Sequence, residues 1–267
     1  MPEKHAGRND RQAEKKAKYN ALMNARLLYR QQKKELRREY KQKRALLYPE
    51  EMIRASGKGM YRFGEEVFNA VTHGIGAILS IIGLIFLMIM LVPGQDSLSI
   101  SSAVIYGSSL TLLYIMSTLY HAITHVRAKR VLRIFDHCTI YLLIAGTYTP
   151  YTLIALSGPW GYTLFAVIWA MAVLGIVLNA VNMERFKAFS AICYLGMGWA
   201  ALTAISPLLE SLQPGGLTLM LLGGVFYTLG MVFYAMKKVS YMHAIWHLFV
   251  LAGSMTHYFG VLFYVYR

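Results

Sequence analysis

Acidic residues are scarce in this chain: 13 Asp and Glu stand against 27 Lys and Arg. Cysteine is scarcer still, with only Cys138 and Cys193 among 267 residues, both inside apolar runs. Two such cysteines exclude a disulfide framework and point to apolar packing instead. No short apolar segment opens the chain. Some sixty mostly polar residues come first, so no cleavable signal peptide is read, and the first apolar run is expected to act as its own insertion signal. Charge is missing altogether from Ile78–Val92 and Leu217–Met236. That excludes a large soluble helical core, which needs polar faces at helical period.

What is present is hydrophobic length. Fifty-six per cent of residues are hydrophobic and the mean hydropathy is +0.42. From Val67 onward the apolar residues form runs near the ~20 residues that cross ~30 Å of hydrocarbon. The runs predict an all-α integral membrane protein of seven transmembrane helices. The spans are about Val67–Val92, Ile100–Thr124, Val131–Leu156, Gly161–Val181, Ala188–Ser206, Leu217–Met236 and Tyr241–Tyr264. They make one membrane domain over residues 63–267, preceded by a tail over 1–62.

Lys and Arg in short loops stay on the cytoplasmic side. Arg127, Lys129, Arg130 and Arg133 fall between spans two and three, Arg185 and Lys187 between four and five, and Lys237 and Lys238 between six and seven. The intervening loops, around Pro93–Ser99, Ser157–Trp160 and Pro207–Gly216, hold neither. This alternation predicts a cytoplasmic N-terminus and an outside C-terminus, opposite to G-protein-coupled receptors.

Residues 1–62 carry 18 Lys and Arg and 7 Asp and Glu, so most of the net charge of +14 belongs to the tail. Residues 9–48 contain no Gly or Pro, which favours a helix up to Pro49 and a loop at Ser56–Gly59. The tail is expected to rest on anionic lipid headgroups, to serve as a solvated arm that enforces topology, or to meet a protein or RNA partner. For nucleic acid it lacks a module and interleaved stacking aromatics.

An ionisable residue inside a span is a functional candidate. Seven of the eight histidines lie in the membrane domain. With the predicted topology, His73, His121, His125, His137, His243 and His247 join Asp136 in the cytoplasmic half, and His257 alone sits deep toward the outside, as a core histidine. His243 and His247 are i and i+4, so one helix face carries both imidazoles; Ser117 and His121 have the same spacing. Three neutral imidazoles suit Zn²⁺ with an open fourth position, where a water pKa falls to ~7 and a carbonyl can be polarised. Asp136 is placed to orient that water or take its proton, and Ser117 to donate to an oxyanion. His125 lies at the loop and His137 points ~100° from Asp136 on a helix, so both are left out as ligands. His73 is the residue that could close the open position.

At these residues the chain resembles the hemolysin III family, the bacterial branch of the progestin and adipoQ receptor family. The resemblance rests on Glu65-Glu66, Asn69-Ala-Val-Thr-His73-Gly74, Ser117-Thr-Leu-Tyr-His121, Phe135-Asp136-His137, Ala145-Gly-Thr-Tyr-Thr-Pro150-Tyr151, and His243-Ala-Ile-Trp-His247 with His257. It covers about residues 62–267. The resemblance implies seven helices with the N-terminus inside and zinc on His121, His243 and His247, with Asp136 holding a water and Ser117 beside the metal. It places the chain in the CREST superfamily of membrane metal-dependent hydrolases, which includes alkaline ceramidases. That implies hydrolysis of a lipid amide or ester, with membrane lipid as substrate, in a bacterial plasma membrane. Two other readings stand beside it: a non-enzymatic sensor or receptor with structural zinc, and a pore-forming cytolytic protein, after the haemolytic phenotype in the family name. The long basic tail departs from compact bacterial members.

Overall fold

The structure is a computed structural model that describes residues 3–47, 63–91, 94, 96–236 and 239–266. All regular structure among these is helical. Contacts divide the chain after Lys58 into two units, each described by itself. The first is a single helix, α1 (Glu3–Leu47). Its extent agrees with a Gly- and Pro-free stretch of good helix formers. The expected turn at Pro49 and loop at Ser56–Gly59 lie outside the described residues.

The second unit is a helical bundle. It comprises α2 (Phe63–Leu91), α3 (Ser97–Ala122), α4 (Val126–Pro150), α5 (Gly158–Trp199), the short α6 (Ile205–Ser211), α7 (Pro214–Ala235) and α8 (Met242–Gly260). Asp96 caps α3 by accepting the Ser99 N–H at 2.8 Å, which satisfies one of the orphan donors of a helix start. Pro150 ends the regular part of α4, and the chain continues as a π-helical turn, Tyr151–Leu156. The Thr152 hydroxyl donates to the Tyr148 carbonyl across this break, which gives the irregular backbone an added partner away from water. Ser157 and Gly158 then turn the chain with positive φ of 42° and 59°.

Helices adjacent in sequence pack together, α2 on α3, α3 on α4, α4 on α5, and α7 on α8; α8 returns against α2 and closes the bundle. The exposure pattern is inverted relative to a soluble protein. Ile78, Ile82, Ile85 and Ile89 of α2 face outward and are 54–65 % exposed, while Asn69, His73 and Ser80 on the same helix are buried. Only a hydrocarbon solvent favours that arrangement. Six segments among the described residues are long and apolar enough to cross a bilayer. The protein is an all-α, multi-pass membrane protein.

One difference from expectation concerns the runs at 161–181 and 188–206. Both fall in a single helical stretch, Gly158–Ser211, of 54 residues. The reason is that within Gly158–Trp199 only Asn182 leaves helical geometry, with φ −158° and ψ 83°, so no extended loop separates the two runs. Yet the Ser190 hydroxyl donates to Asn179 Oδ1 at 2.8 Å and the Asn179 amide reaches Tyr194 Oη at 3.4 Å. In an unbroken helix residues 15 apart lie ~22 Å from each other. The chain therefore folds back at Asn182, whose side chain accepts the Arg185 N–H at 3.1 Å and caps the returning arm. The loop expected at Pro207–Gly216 is largely helical, formed by α6 and the start of α7.

Candidate metal centre

Helix α2 brings two adjacent carboxylates, Glu65 and Glu66, in its first turn. Each grips a different neighbour. The Glu65 carboxylate accepts the backbone N–H of Tyr241, the left-handed residue (φ 65°) that starts α8. Glu66 Oε2 lies 2.6 Å from Nδ1 of His121, at the end of α3. Its other oxygen holds the Lys129 ammonium at 3.0 Å. At the same end of the bundle Arg133 of α4 pairs with Glu184, just past the Asn182 reversal, at 2.7 Å. These contacts gather the ends of α2, α3 and α8 with the starts of α4 and the returning arm of α5.

Within this frame three imidazoles converge. Nε2 of His243 lies 3.4 Å from Nε2 of His121 and 3.1 Å from Nε2 of His247. All three ligand atoms lie within 4.8 Å of one another. Four ligands at ~2.05 Å around tetrahedral zinc are separated by ~3.3–3.4 Å, and the two pairs that share His243 lie close to that separation. The tautomer of His121 also fits. Its Nδ1–H donates to Glu66, so Nε2 presents a lone pair toward the other two rings; a carboxylate on the far nitrogen is the usual support of a metal-ligating histidine. His121 and His247 are buried and His243 is half-buried.

The other expected site residues lie outside this group of three. Ser117 is buried one turn before His121, and its hydroxyl has no hydrogen-bond partner among the described residues. Asp136 is buried on α4, its Oδ2 3.6 Å from His137 Nδ1. Asp136 and His73 line one largely apolar cavity, whose wall also includes Ile140, Ile144, Met231 and His257. It holds about 1000 Å³ of space, its open mouth included. Asp136 is not part of the group of three that can hold an ion.

His73 does not close the cluster. Its ring stacks on that of His247, with centroids 3.6 Å apart and planes 12° from parallel, so it packs a ligand rather than adding a fourth. His125 serves as a helix cap, Nδ1 accepting the Ala128 N–H at 3.4 Å. His137 donates from Nδ1 to the Arg133 carbonyl at 3.0 Å. His257 is buried and stacks on Tyr227. Sequence reasoning gave Glu65 and Glu66 only as part of the resemblance and Lys129 only as a loop cation, with no role at the site. Their signal was faint: two acidic residues at the start of an apolar run ordinarily answer to the helix dipole.

Comparison with known proteins shows the family of the chain. The family model described as Haemolysin-III related matches residues 61–258, which include all three clustered histidines, Ser117 and Asp136. Hemolysin-3 of Bacillus cereus is 49% identical over 201 residues, 75% of this chain and 92% of that protein. The Hemolysin-3 homolog of Bacillus subtilis (strain 168) is 47% identical over 205 residues, 77% of this chain and 96% of its own. More distantly, the human monocyte to macrophage differentiation factor is 30% identical over 224 residues, 80% of this chain and 91% of that protein. The chain belongs to the haemolysin-III related family.

Proposed function

We propose that this protein is a zinc-dependent hydrolase that acts within the membrane on a lipid amide or ester. The observation that carries the reading is the spacing of the three Nε2 atoms, 3.1 and 3.4 Å along the two pairs, with Glu66 fixing the tautomer of one of them. Three protein ligands leave a coordination position open, as catalytic sites do and closed structural sites do not. Bound there, zinc supplies a Lewis acid and a water of lowered pKa.

The chain's own residues have the remaining roles. Asp136 accepts a proton from the water as its oxygen bonds to the carbonyl carbon, and returns it to the amine or alcohol when the C–N or C–O bond breaks. The Ser117 hydroxyl, unpartnered and buried, donates to the carbonyl oxygen as negative charge develops. The apolar cavity that Asp136 lines takes the hydrocarbon chain of a substrate whose polar bond sits at the histidines.

The proposed topology is seven crossings with the N-terminus in the cytoplasm. The reversal at Asn182 supports the count, because it divides α5 into two arms of ~36 and ~26 Å, each close to the hydrocarbon thickness. The Lys129 and Arg133 contacts at the histidine end support a cytoplasmic site. A structural-zinc sensor shares the histidines but gives the open position and the cavity no task. A lytic pore needs a polar wall from face to face, and the cavity wall is apolar.

Metal analysis of purified wild type beside His121→Ala, His243→Ala and His247→Ala is the direct test. Near-stoichiometric zinc in wild type, lost in each variant, is expected. Equal zinc in all four samples sinks the site. Zinc with no turnover of any ceramide, amide or ester lipid by the wild type leaves the sensor reading in its place.

A further inference from the structure

The metal centre leaves α1 unexplained. Between Lys16 and Tyr40 this helix carries eight Lys and Arg and two Glu. Its large apolar side chains are nonetheless exposed: Tyr19, Met23, Leu27 and Leu28 are scattered around the helix, whereas Leu22, Tyr29, Leu36 and Tyr40, 55 to 70 % exposed, line up. At ~100° per residue these four fall within ~40° of one another around the helix axis. They form a narrow stripe with Ala25 on one flank. Arg26 and Lys33, seven residues apart, line the other flank, and Arg30 and Arg37 follow. Arg38 lies on the opposite side, ~180° from Tyr29.

We propose that this face of α1 lies on an anionic lipid surface, with the stripe in the headgroup–acyl boundary and the flanking cations among phosphates. Three features select that partner. A helix with net positive charge beside a thin apolar stripe bearing tyrosines matches the pattern of interfacial helices. Charge complementarity favours anionic lipid over a second copy of the helix, because Arg26 and Lys33 border the stripe where a coiled-coil seam needs apolar neighbours. The surface is also always close. Residues 48–62 connect α1 to a membrane-embedded helix, and 15 residues reach at most ~50 Å. Tethering converts docking into an intramolecular event, so modest affinity suffices. This inference is independent of the hydrolase reading and requires no metal.

The test uses full-length protein in nanodiscs of phosphatidylcholine, with and without about a third phosphatidylglycerol (a fraction that gives a strongly anionic surface). Cys138→Ala and Cys193→Ala remove the native thiols, and a nitroxide is placed at Tyr29→Cys or Arg38→Cys. In anionic discs the label at 29 should become accessible to dissolved oxygen and shielded from a water-soluble nickel complex, while the label at 38 stays open to nickel. The contrast should vanish in pure phosphatidylcholine and at ~1 M salt, where screening length falls to ~3 Å. Arg26→Glu with Lys33→Glu should weaken docking roughly fivefold or more per charge. Equal nickel access at both positions in anionic discs overturns the proposal. So does shielding that depends on protein concentration and not on lipid charge, which identifies a second copy. Shielding that appears only on adding RNA overturns it as well.

Discussion

Glu66 holds Nδ1 of His121 at 2.6 Å while its second oxygen holds Lys129 at 3.0 Å. The pair fixes which imidazole nitrogen is free, and it joins α2 to α3 at the depth of the histidine cluster. The partner carboxylate of a ligating histidine sets its ring orientation and basicity, and losing it typically costs 10–100-fold in metal affinity. Glu66→Ala should therefore weaken zinc binding by about that factor in a competitive chelator titration. Glu66→Gln, whose amide oxygen still accepts from Nδ1, should lose less. Unchanged affinity in Glu66→Ala would falsify the positioning role.

Metal should also hold the fold together. His121 is on α3 and His243 and His247 are on α8, so an ion bound to all three crosslinks helices distant in sequence. A ligand bound only by the native state at 100 times its Kd adds ~2.7 kcal/mol. Stripping metal from wild type should lower the thermal midpoint by several degrees, and the same chelator should leave a His243→Ala, His247→Ala double variant where it was. Equal shifts in the two would show that the chelator acts elsewhere.

The reversal at Asn182 rests on one side chain that accepts the Arg185 N–H at 3.1 Å. Removing an N-cap of this type costs ~1 kcal/mol. Asn182→Ala should destabilise by that amount in unfolding measurements, and Asn182→Asp, which retains the acceptor, should not. A loss in both would assign the effect to something other than the cap.

Much of the site was legible because helical period is written directly in sequence. His243 with His247, and Ser117 with His121, share faces by their spacing alone. The alternation of basic loops predicted a common depth for them, and the ion pairs of Lys129 and Arg133 gather those loops at one end. The roles of Glu65 and Glu66 stayed hidden because their partners, Tyr241 and His121, are 176 and 55 residues away. No local pattern announces such a contact. The role of His73 stayed open for a related reason: sequence conveys the depth of a ring in the bilayer, but not whether it offers an edge or a face. The structure presents its face to His247. Asn182 reads as an ordinary polar loop residue, and only its side-chain bond reveals a turn made without a loop.

Asp96 gives a pH dependence remote from the metal. It accepts the Ser99 N–H, and that bond holds its carboxyl below the ordinary carboxylate range. A depressed folded pKa gives stability that is present above the unfolded value and lost as pH falls through the folded one. Wild type should exceed Asp96→Asn in thermal midpoint at neutral pH and converge with it in strong acid. A gap that persists unchanged below pH ~2, where both forms are neutral, would show that charge is not the cause.

Asp136 separates chemistry from metal binding. It is buried on α4, it lines the cavity, and it lies outside the three-histidine group. Asp136→Asn keeps the shape of the side chain and removes its capacity to take a proton. Zinc content should therefore match wild type, whereas turnover of a lipid amide or ester should fall ~10²–10⁴-fold, the usual contribution of a general base. Ser117→Ala, which deletes a single donor to the developing oxyanion, should retain zinc and lose up to ~10²–10³-fold. The two variants also bear on the sensor reading, in which Asp136 merely shapes the pocket: there, Asp136→Asn is nearly silent, since asparagine has almost the same volume. Zinc lost from Asp136→Asn would instead place the carboxylate among the ligands and end its assignment as a base.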